Sequence, residues 1–138
     1  MKFGYHNHDF EFKFSINNMK IYDIIMQHTD PELVFQQMDI GNMYGAGGRA
    51  DELIKQYPGR FLSMHVKNEI KSSVAGEMND GYESTVLNNG LLDIKHIIDL
   101  EKKSGGTTLF IIEQESYQGK APIECAKEDL DIMKKWGY

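Results

Sequence analysis

The sequence predicts an α/β fold in which four parallel strand–helix units form a single domain over residues 1–138. Short apolar or aromatic runs alternate with segments whose apolar residues recur at helical spacing. Glycine, proline and aspartate separate these segments. Strands that alternate with amphipathic helices pair in parallel through right-handed crossovers. The carboxyl-terminal ends of all four strands are therefore expected at one edge of the sheet.

The first two units cover residues 2–57. A strand is predicted over residues 2–8, and a helix over 19–28 ends before Pro31, because the residue that precedes a proline avoids the helical region. The second strand is predicted over residues 33–40 and leads into a glycine-rich loop at 41–48. The second helix places Ala50, Leu53, Ile54 and Tyr57 on one face.

The last two units follow the same plan. Strands are predicted over residues 61–66 and 109–112. The polar stretch 68–90 between them is longer than an ordinary connection, which predicts a lid or binding loop. Asp93 is an expected N-cap, and Gly105-Gly106 an expected helix end. The apolar face of the last helix is predicted to comprise Ile123, Ala126, Leu130 and Met133, with Cys125 in the core.

Composition excludes some classes of partner. The formal net charge of −6 argues against a nucleic-acid-binding surface, which usually carries concentrated basic charge. The sequence has no apolar run long enough to span a membrane and no secretory pattern, and its single cysteine cannot form an internal disulfide. A cytoplasmic protein with no nucleic-acid or membrane partner is expected.

Four side chains that suit a metal ion fall at or just after the ends of the four predicted strands, one from each. They are Glu11, Asp39, His65 and Glu113. Three carboxylates and one imidazole suit one divalent ion, with Mn, Mg or Co expected and Zn a further option. From spacing alone an alternative stays open, in which each residue is a separate helix cap, loop acid or core histidine.

Five segments, taken in order, resemble the second half of the xylose-isomerase-like sugar phosphate isomerases and epimerases. They are YHNHDFEF (5–12), DIGNMYGAGG (39–48), YPGRFLSMHVKN (57–68), NNGLLDIKHI (88–97) and FIIEQE (110–115). The resemblance covers nearly the whole chain and implies the C-terminal half of a (β/α)8, or TIM, barrel. It also implies a metal held by Glu11, Asp39, His65 and Glu113, with His6 or His8 as alternatives to Glu11.

The resemblance implies catalysis by proton transfer through an enediolate that a divalent ion stabilises. Glu11 and Glu113 would then exchange the proton with a sugar or sugar phosphate. Substrate contacts are expected from His6, His8, Lys67 and Glu115, which as an alternative form only the polar pocket wall or support the ligands. Two other functions remain open: a metal-dependent lyase that dehydrates a keto-polyol, and a half-barrel that binds metal or sugar without turnover.

Two departures from related proteins matter. Abasic-site endonucleases of this superfamily carry a histidine where this chain has Asn42, and the chain has no Asp-x-His pair, which argues against DNA cleavage. A closed barrel needs about 250 residues, so four strands are expected to be missing. The exposed strand edges predict association, either as a homodimer or with a separate N-terminal half.

Overall fold

The computed structural model describes residues 3–138, so the predicted strand start at residue 2 lies outside the described residues. The strands are β1 (Phe3–His6), β2 (Ser15–Ile16), β3 (Met19–Lys20), β4 (Val34–Asp39), β5 (Phe61–Val66), β6 (Asn68–Lys71), β7 (Tyr82–Thr85) and β8 (Leu109–Ile112). The helices are α1 (Phe10–Lys13), α2 (Ile21–His28), α3 (Ile40–Tyr44), α4 (Ala50–Gln56), α5 (Ile94–Leu100) and α6 (Pro122–Trp136).

Four strands form one parallel sheet in the order β1-β4-β5-β8. His6 pairs with Gln37, Asp39 with His65, and His65 with Ile111, so the carboxyl-terminal strand ends lie at the same edge. The predicted half-barrel of four parallel strand–helix units is confirmed. β1 and β8 are the two edge strands of this open sheet.

The core packs apolar side chains of the central strands against the helices. Met38 and Met64 come from neighbouring strands, while Ile54 and Ile98 come from α4 and α5, and all four are fully buried. Burying an aliphatic side chain of this size contributes about 1.5–3 kcal/mol. No helix in the described part of the chain combines the length and apolar character needed to cross a membrane.

The long polar stretch after β5 contains an antiparallel hairpin, β6–β7, which the sequence did not predict. Asn68 fixes its base, because its amide donates to the carbonyl oxygens of Leu87 and Leu92 at 2.6 and 3.1 Å. Its side-chain oxygen also accepts the backbone N–H groups of Glu69 and Leu92, each at 2.9 Å. A second small hairpin, β2–β3, replaces the predicted loop and the first two residues of the predicted helix at 19–28.

Helix α5 begins and ends as the sequence predicts. The side chain of Asp93 accepts the N–H of His96 at 3.1 Å, which caps the first turn. The helix continues through a single π-helical turn, Glu101–Gly105, and Gly106 then adopts φ +92°, a left-handed conformation that favours glycine. The expected N-cap and the expected glycine stop are both confirmed.

The predicted apolar face of α6 is wrong at three of its four positions. Ile123 and Leu130 are 63% and 46% exposed and Ala126 is exposed as well, while Met133 is buried. Cys125, Asp129 and Ile132 also face the core. The buried side of the helix includes Asp129 because its Oδ1 accepts the N–H of Leu87 at 2.8 Å. The buried face of α6 therefore includes an acid, Asp129, and does not follow the apolar residues alone. The predicted core position of Cys125 is confirmed.

Candidate metal centre

Four polar side chains reach the carboxyl-terminal edge of the sheet from its four strands. His6 is the last residue of β1, Asp39 is the last residue of β4, and His65 is the next to last of β5. Glu113 directly follows β8. Because the four strands are adjacent and parallel, the side chains at these ends converge.

The donor atoms of three of these residues form a compact group. One ligand atom each from His6, Asp39 and His65 lies within 4.8 Å of the other two. Oδ2 of Asp39 is 3.6 Å from Nδ1 of His65 and 3.9 Å from Nε2 of His6. Oε2 of Glu113 contacts Nδ1 of His65. We call these four side chains the strand-end cluster.

Two members of the strand-end cluster have a buried polar atom without a hydrogen-bond partner among the described residues, Nδ1 of His6 and Oδ2 of Asp39. Nδ1 of His65 and Oε2 of Glu113 are also buried, and they contact each other. Buried polar atoms in folded proteins are almost always hydrogen-bonded, so each exception needs a physical reason. Two imidazoles and two carboxylates form a donor set that fits Mn, Co, Fe or Zn.

Asp39 is held in place from both sides. Its Oδ1 accepts the N–H of Asn42 at 2.8 Å and so caps α3, which leaves Oδ2 to face the histidines. The side chain of Asn7 pairs with the backbone of Asp39, donating to its carbonyl oxygen at 3.0 Å and accepting its N–H at 2.9 Å. Sequence reasoning missed Asn7, although its place between two histidines at a strand end was a usable signal.

The cluster sets the protonation of its own members. The contact with Asp39, followed by the contact with Glu113, raises the pKa of His65 to about 9. The contact with His65 in turn lowers the pKa of Glu113. Burial lowers the pKa of His6, which favours the neutral imidazole that binds metals. A bound cation would replace the proton on His65, because metal ligands bind in their deprotonated form.

Two predicted ligands, Glu11 and Glu113, are not part of the compact group of His6, Asp39 and His65, and of these two only Glu113 contacts a member of it. Glu11 has other partners. Its buried carboxylate accepts the hydroxyl of Tyr5 at 2.5 Å and the backbone N–H of His8 at 3.1 Å. Burial, together with this carboxylate, raises the pKa of Tyr5. His6 takes the place on this strand that was assigned to Glu11, and the ligand role of every residue stays a prediction.

The predicted substrate-binding residues separate into two places. His8 is exposed, and its ring lies edge-on to His6 with 5.0 Å between the centroids. Lys67 and Glu115 form an ion pair. The fully buried ammonium of Lys67 also donates to Oδ1 of Asn42 at 3.0 Å. Sequence reasoning thus placed both members of this pair at the site without predicting their contact.

Lys67 has a further partner that no motif indicated. Its Nζ is 3.6 Å from Oε2 of Glu77, which lies between β6 and β7. The hydroxyl of Ser84 donates to Glu77 at 2.7 Å and accepts the N–H of Glu115 at the same distance. Burial lowers the pKa of Lys67, but the charge of Asp39 and the hydrogen bond that Lys67 donates to Glu115 outweigh it, so the pKa lies above its ordinary value.

Gly41 allows the lysine to pack beneath the end of β4. A Cβ atom at this position would lie 2.7 Å from Cγ of Lys67 and would also meet the carboxylate of Glu69. Real Cβ atoms essentially never approach another atom this closely. Gly41 thus leaves the space in which the buried side chains of Lys67 and Glu69 pack.

The sheet and the strand-end cluster define half of a parallel α/β barrel with a candidate site at the carboxyl-terminal ends of its strands. No family model and no curated protein sequence matches this chain. Solved structures do match. Two are sugar phosphate isomerase/epimerases from Parabacteroides distasonis ATCC 8503, with TM-scores of 0.73 and 0.76 and identities of 22% and 19%. A third is a xylose isomerase domain protein from Planctomyces limnophilus, with a TM-score of 0.65 and 16% identity.

The matches cover nearly all of this chain and less than half of each solved protein. They span 96%, 97% and 95% of the chain, and 45%, 45% and 43% of the respective solved structures. The resemblance to the xylose-isomerase-like barrels is thereby confirmed as a likeness of fold.

Proposed function

We propose that this chain carries the metal centre of a divalent-metal-dependent isomerase or epimerase that acts on a sugar or sugar phosphate through an enediolate. The observation that supports the proposal is the strand-end cluster, in which ligand atoms of His6, Asp39 and His65 lie within 4.8 Å of one another and Glu113 contacts His65. His6, Asp39, His65 and Glu113 would hold the ion. The fold of the solved isomerase structures agrees with this reaction class.

The chemistry needs a Lewis acid, a base and a polar group that binds the substrate. A divalent ion, when bound, supplies the positive charge that stabilises an enediolate. Glu113 is the base that takes the proton from carbon, because its carboxylate directly follows β8 and lies beside the other members of the strand-end cluster. Lys67 stays charged and holds the carboxylate of Glu115, which is 44% exposed and can accept a hydroxyl of the substrate.

One observation favours a lyase as a second candidate. Epimerisation with two bases needs a second carboxylate beside the substrate, and Glu11 was expected in that role. Its carboxylate instead binds the Tyr5 hydroxyl and the His8 N–H. Dehydration of a keto-polyol needs one base to remove the proton, and Glu113 meets this need.

The metal ligands can be tested by elemental analysis of the purified chain after loading with Mn²⁺ and desalting. We expect about one ion per chain and at least about a 100-fold loss of affinity in His6→Ala and His65→Ala, because removing a ligand costs more than removing a supporting residue. Glu11→Gln is the matched control and should retain the ion. Loss of metal in Glu11→Gln with retention in His6→Ala would reverse the assignment.

Turnover can be tested separately by NMR detection of deuterium incorporation from solvent into a ketose. Exchange that is lost in Glu113→Gln is expected for an isomerase or epimerase. Loss of water from a keto-polyol, seen as a new unsaturated ketone, would select the lyase instead. A chain that binds metal but catalyses neither reaction would be the non-catalytic half-barrel.

We also propose that the open sheet is completed by four further strands, from a second copy of the chain or from a separate N-terminal half. Edge strands β1 and β8 carry Phe3 and Leu109, which are 65% and 56% exposed. Unpaired strand edges with apolar residues promote association. Light scattering on a size-exclusion column should give the mass of a dimer, and a folded monomer at micromolar concentration would exclude self-completion.

A further inference from the structure

The loops after the last two strands of the sheet carry carboxylates where parallel barrels often bind phosphate. In such barrels the phosphate site is frequently formed by the loops that follow strands seven and eight. As the second half of such a barrel, the sheet contributes β5 and β8 as strands seven and eight. The segments that follow these two strands carry Glu69, Glu77, Glu113 and Glu115. Among residues 3–138, Lys67 is the only lysine or arginine that forms an ion pair with any of them.

The ammonium of Lys67 has no free position for a phosphate group. An ammonium has three donors, and Lys67 is surrounded by three acceptors: Oδ1 of Asn42 at 3.0 Å, the carboxylate of Glu115, and Oε2 of Glu77 at 3.6 Å. The side chain is fully buried. A phosphate that approached Lys67 would meet two carboxylates first, and like charges in contact oppose binding.

Negative charge already exceeds positive charge around this lysine. Burial raises the pKa of Glu69 to about 8, so this carboxyl holds a proton at neutral pH and adds no charge. Asp39, Glu77, Glu113 and Glu115 remain to be balanced by Lys67 and a divalent ion. A phosphate dianion would add two further negative charges to a site that has no cation left for them.

The same carboxylates suit hydroxyl groups. Ionised carboxylates only accept hydrogen bonds, and each oxygen can accept from a hydroxyl. The side chain of Glu115 is 44% exposed beside Lys67, and His8 is exposed beside His6. A substrate whose hydroxyl groups extend away from the strand-end cluster finds hydrogen-bond acceptors at Glu115 and at His8.

We propose that the substrate recognised at this site is a neutral polyhydroxy carbonyl compound, an unphosphorylated sugar or keto-polyol, and not a sugar phosphate. This deepens the proposed function and rests on it. The observations that carry it are the acidic loops after β5 and β8 and the complete pairing of Lys67 within the protein.

The test compares matched ligands on the Mn²⁺-loaded chain by isothermal titration calorimetry. D-Fructose and D-tagatose are each titrated beside their 6-phosphates, first into the wild type and then into Glu77→Gln/Glu115→Gln, which frees the ammonium of Lys67. Glu128→Gln, which removes one carboxylate from α6, is the charge control. Glu115→Gln alone replaces the double variant if circular dichroism shows that the double variant does not fold.

In the wild type each ketose should bind at least about tenfold more tightly than its 6-phosphate, because like charges in contact disfavour the phosphate. The preference for the unphosphorylated ketose should shrink or reverse in Glu77→Gln/Glu115→Gln, or in Glu115→Gln alone. It should persist in Glu128→Gln. Equal or tighter binding of the 6-phosphates to the wild type would overturn the proposal. So would an unchanged preference in the variants, or no binding of either ketose to a chain that has taken up metal. A chain that takes up no metal overturns the proposed function itself.

Discussion

Replacing Glu101 with glutamine is expected to remove a pH-dependent loss of stability. Glu101 is fully buried in the turn that ends α5. Its Oε2 accepts the hydroxyl of Thr107 at 2.7 Å, and its Oε1 has no hydrogen-bond partner among the described residues. Burial raises its pKa from 4.5 to about 7, so the folded chain keeps a proton that the unfolded chain releases.

The sign and size of the effect follow from this difference. A raised carboxyl pKa makes the free energy of unfolding fall as the pH rises from about 4.5 to about 7, and the loss is complete above both values. The shift corresponds to about 3 kcal/mol. With a urea dependence of about 1–3 kcal/mol per molar, the unfolding midpoint should move by about 1–3 M because of this one group.

Urea unfolding followed by circular dichroism at pH 4.5, 6 and 8 measures the effect. Other groups also titrate in this range, so the informative quantity is the difference between wild type and Glu101→Gln at each pH. The glutamine keeps an acceptor for Thr107 and cannot ionise, so its advantage should grow with pH. Glu128→Gln, an exposed acid on α6, should follow the wild type. Parallel pH curves for wild type and Glu101→Gln would refute the reasoning.

Three further outcomes are expected. Gly41→Ala should lower the free energy of unfolding, measured in urea, by about 1–3 kcal/mol, because the new Cβ overpacks against Lys67. Unchanged stability would mean that Lys67 moves aside freely. Asp129→Ala should lower the free energy of unfolding by about 1–3 kcal/mol, because the N–H of Leu87 loses its acceptor. Asp129→Asn should recover most of this loss, and equal losses in both variants would contradict the role of Asp129. Mn²⁺ should raise the unfolding temperature in scanning calorimetry, since it binds the folded chain, and the rise should disappear in His6→Ala; an equal rise in that variant would remove His6 from the ligand set.

The parallel sheet was predictable because its strands are short, mainly apolar or aromatic segments that alternate with amphipathic helices and turn residues. The bounds of β5 and β8 match the predicted residues 61–66 and 109–112. The hairpin of β6 and β7 was not predictable in the same way. Its base depends on Asn68, which bonds to Leu87 and Leu92, about twenty positions further along the chain. Such contacts between distant residues leave no local periodicity in a polar segment.

The candidate site was predicted from strand ends, and its one difference comes from where a strand stops. Asp39, His65 and Glu113 lie at strand ends as expected. The first strand was predicted to reach residue 8, which put Glu11 close behind it. The strand ends instead at His6, and α1 begins at Phe10 and directs Glu11 toward Tyr5. A difference of two residues at a strand end therefore favours His6, the alternative already left open, over Glu11 as the candidate ligand from this strand.

Asn42 joins the strand-end cluster to the buried Lys67. Its N–H binds Oδ1 of Asp39 at 2.8 Å, and its side-chain oxygen accepts the ammonium of Lys67 at 3.0 Å. In the sequence Asn42 served only to argue against a DNA-cleaving site. In the structure the first turn of α3 fixes the orientation of a candidate metal ligand and the position of Lys67 through one residue. The spacing between the candidate ligand Asp39 and Lys67 is therefore set by the cap of a short helix, directly after Gly41, which makes room for the lysine.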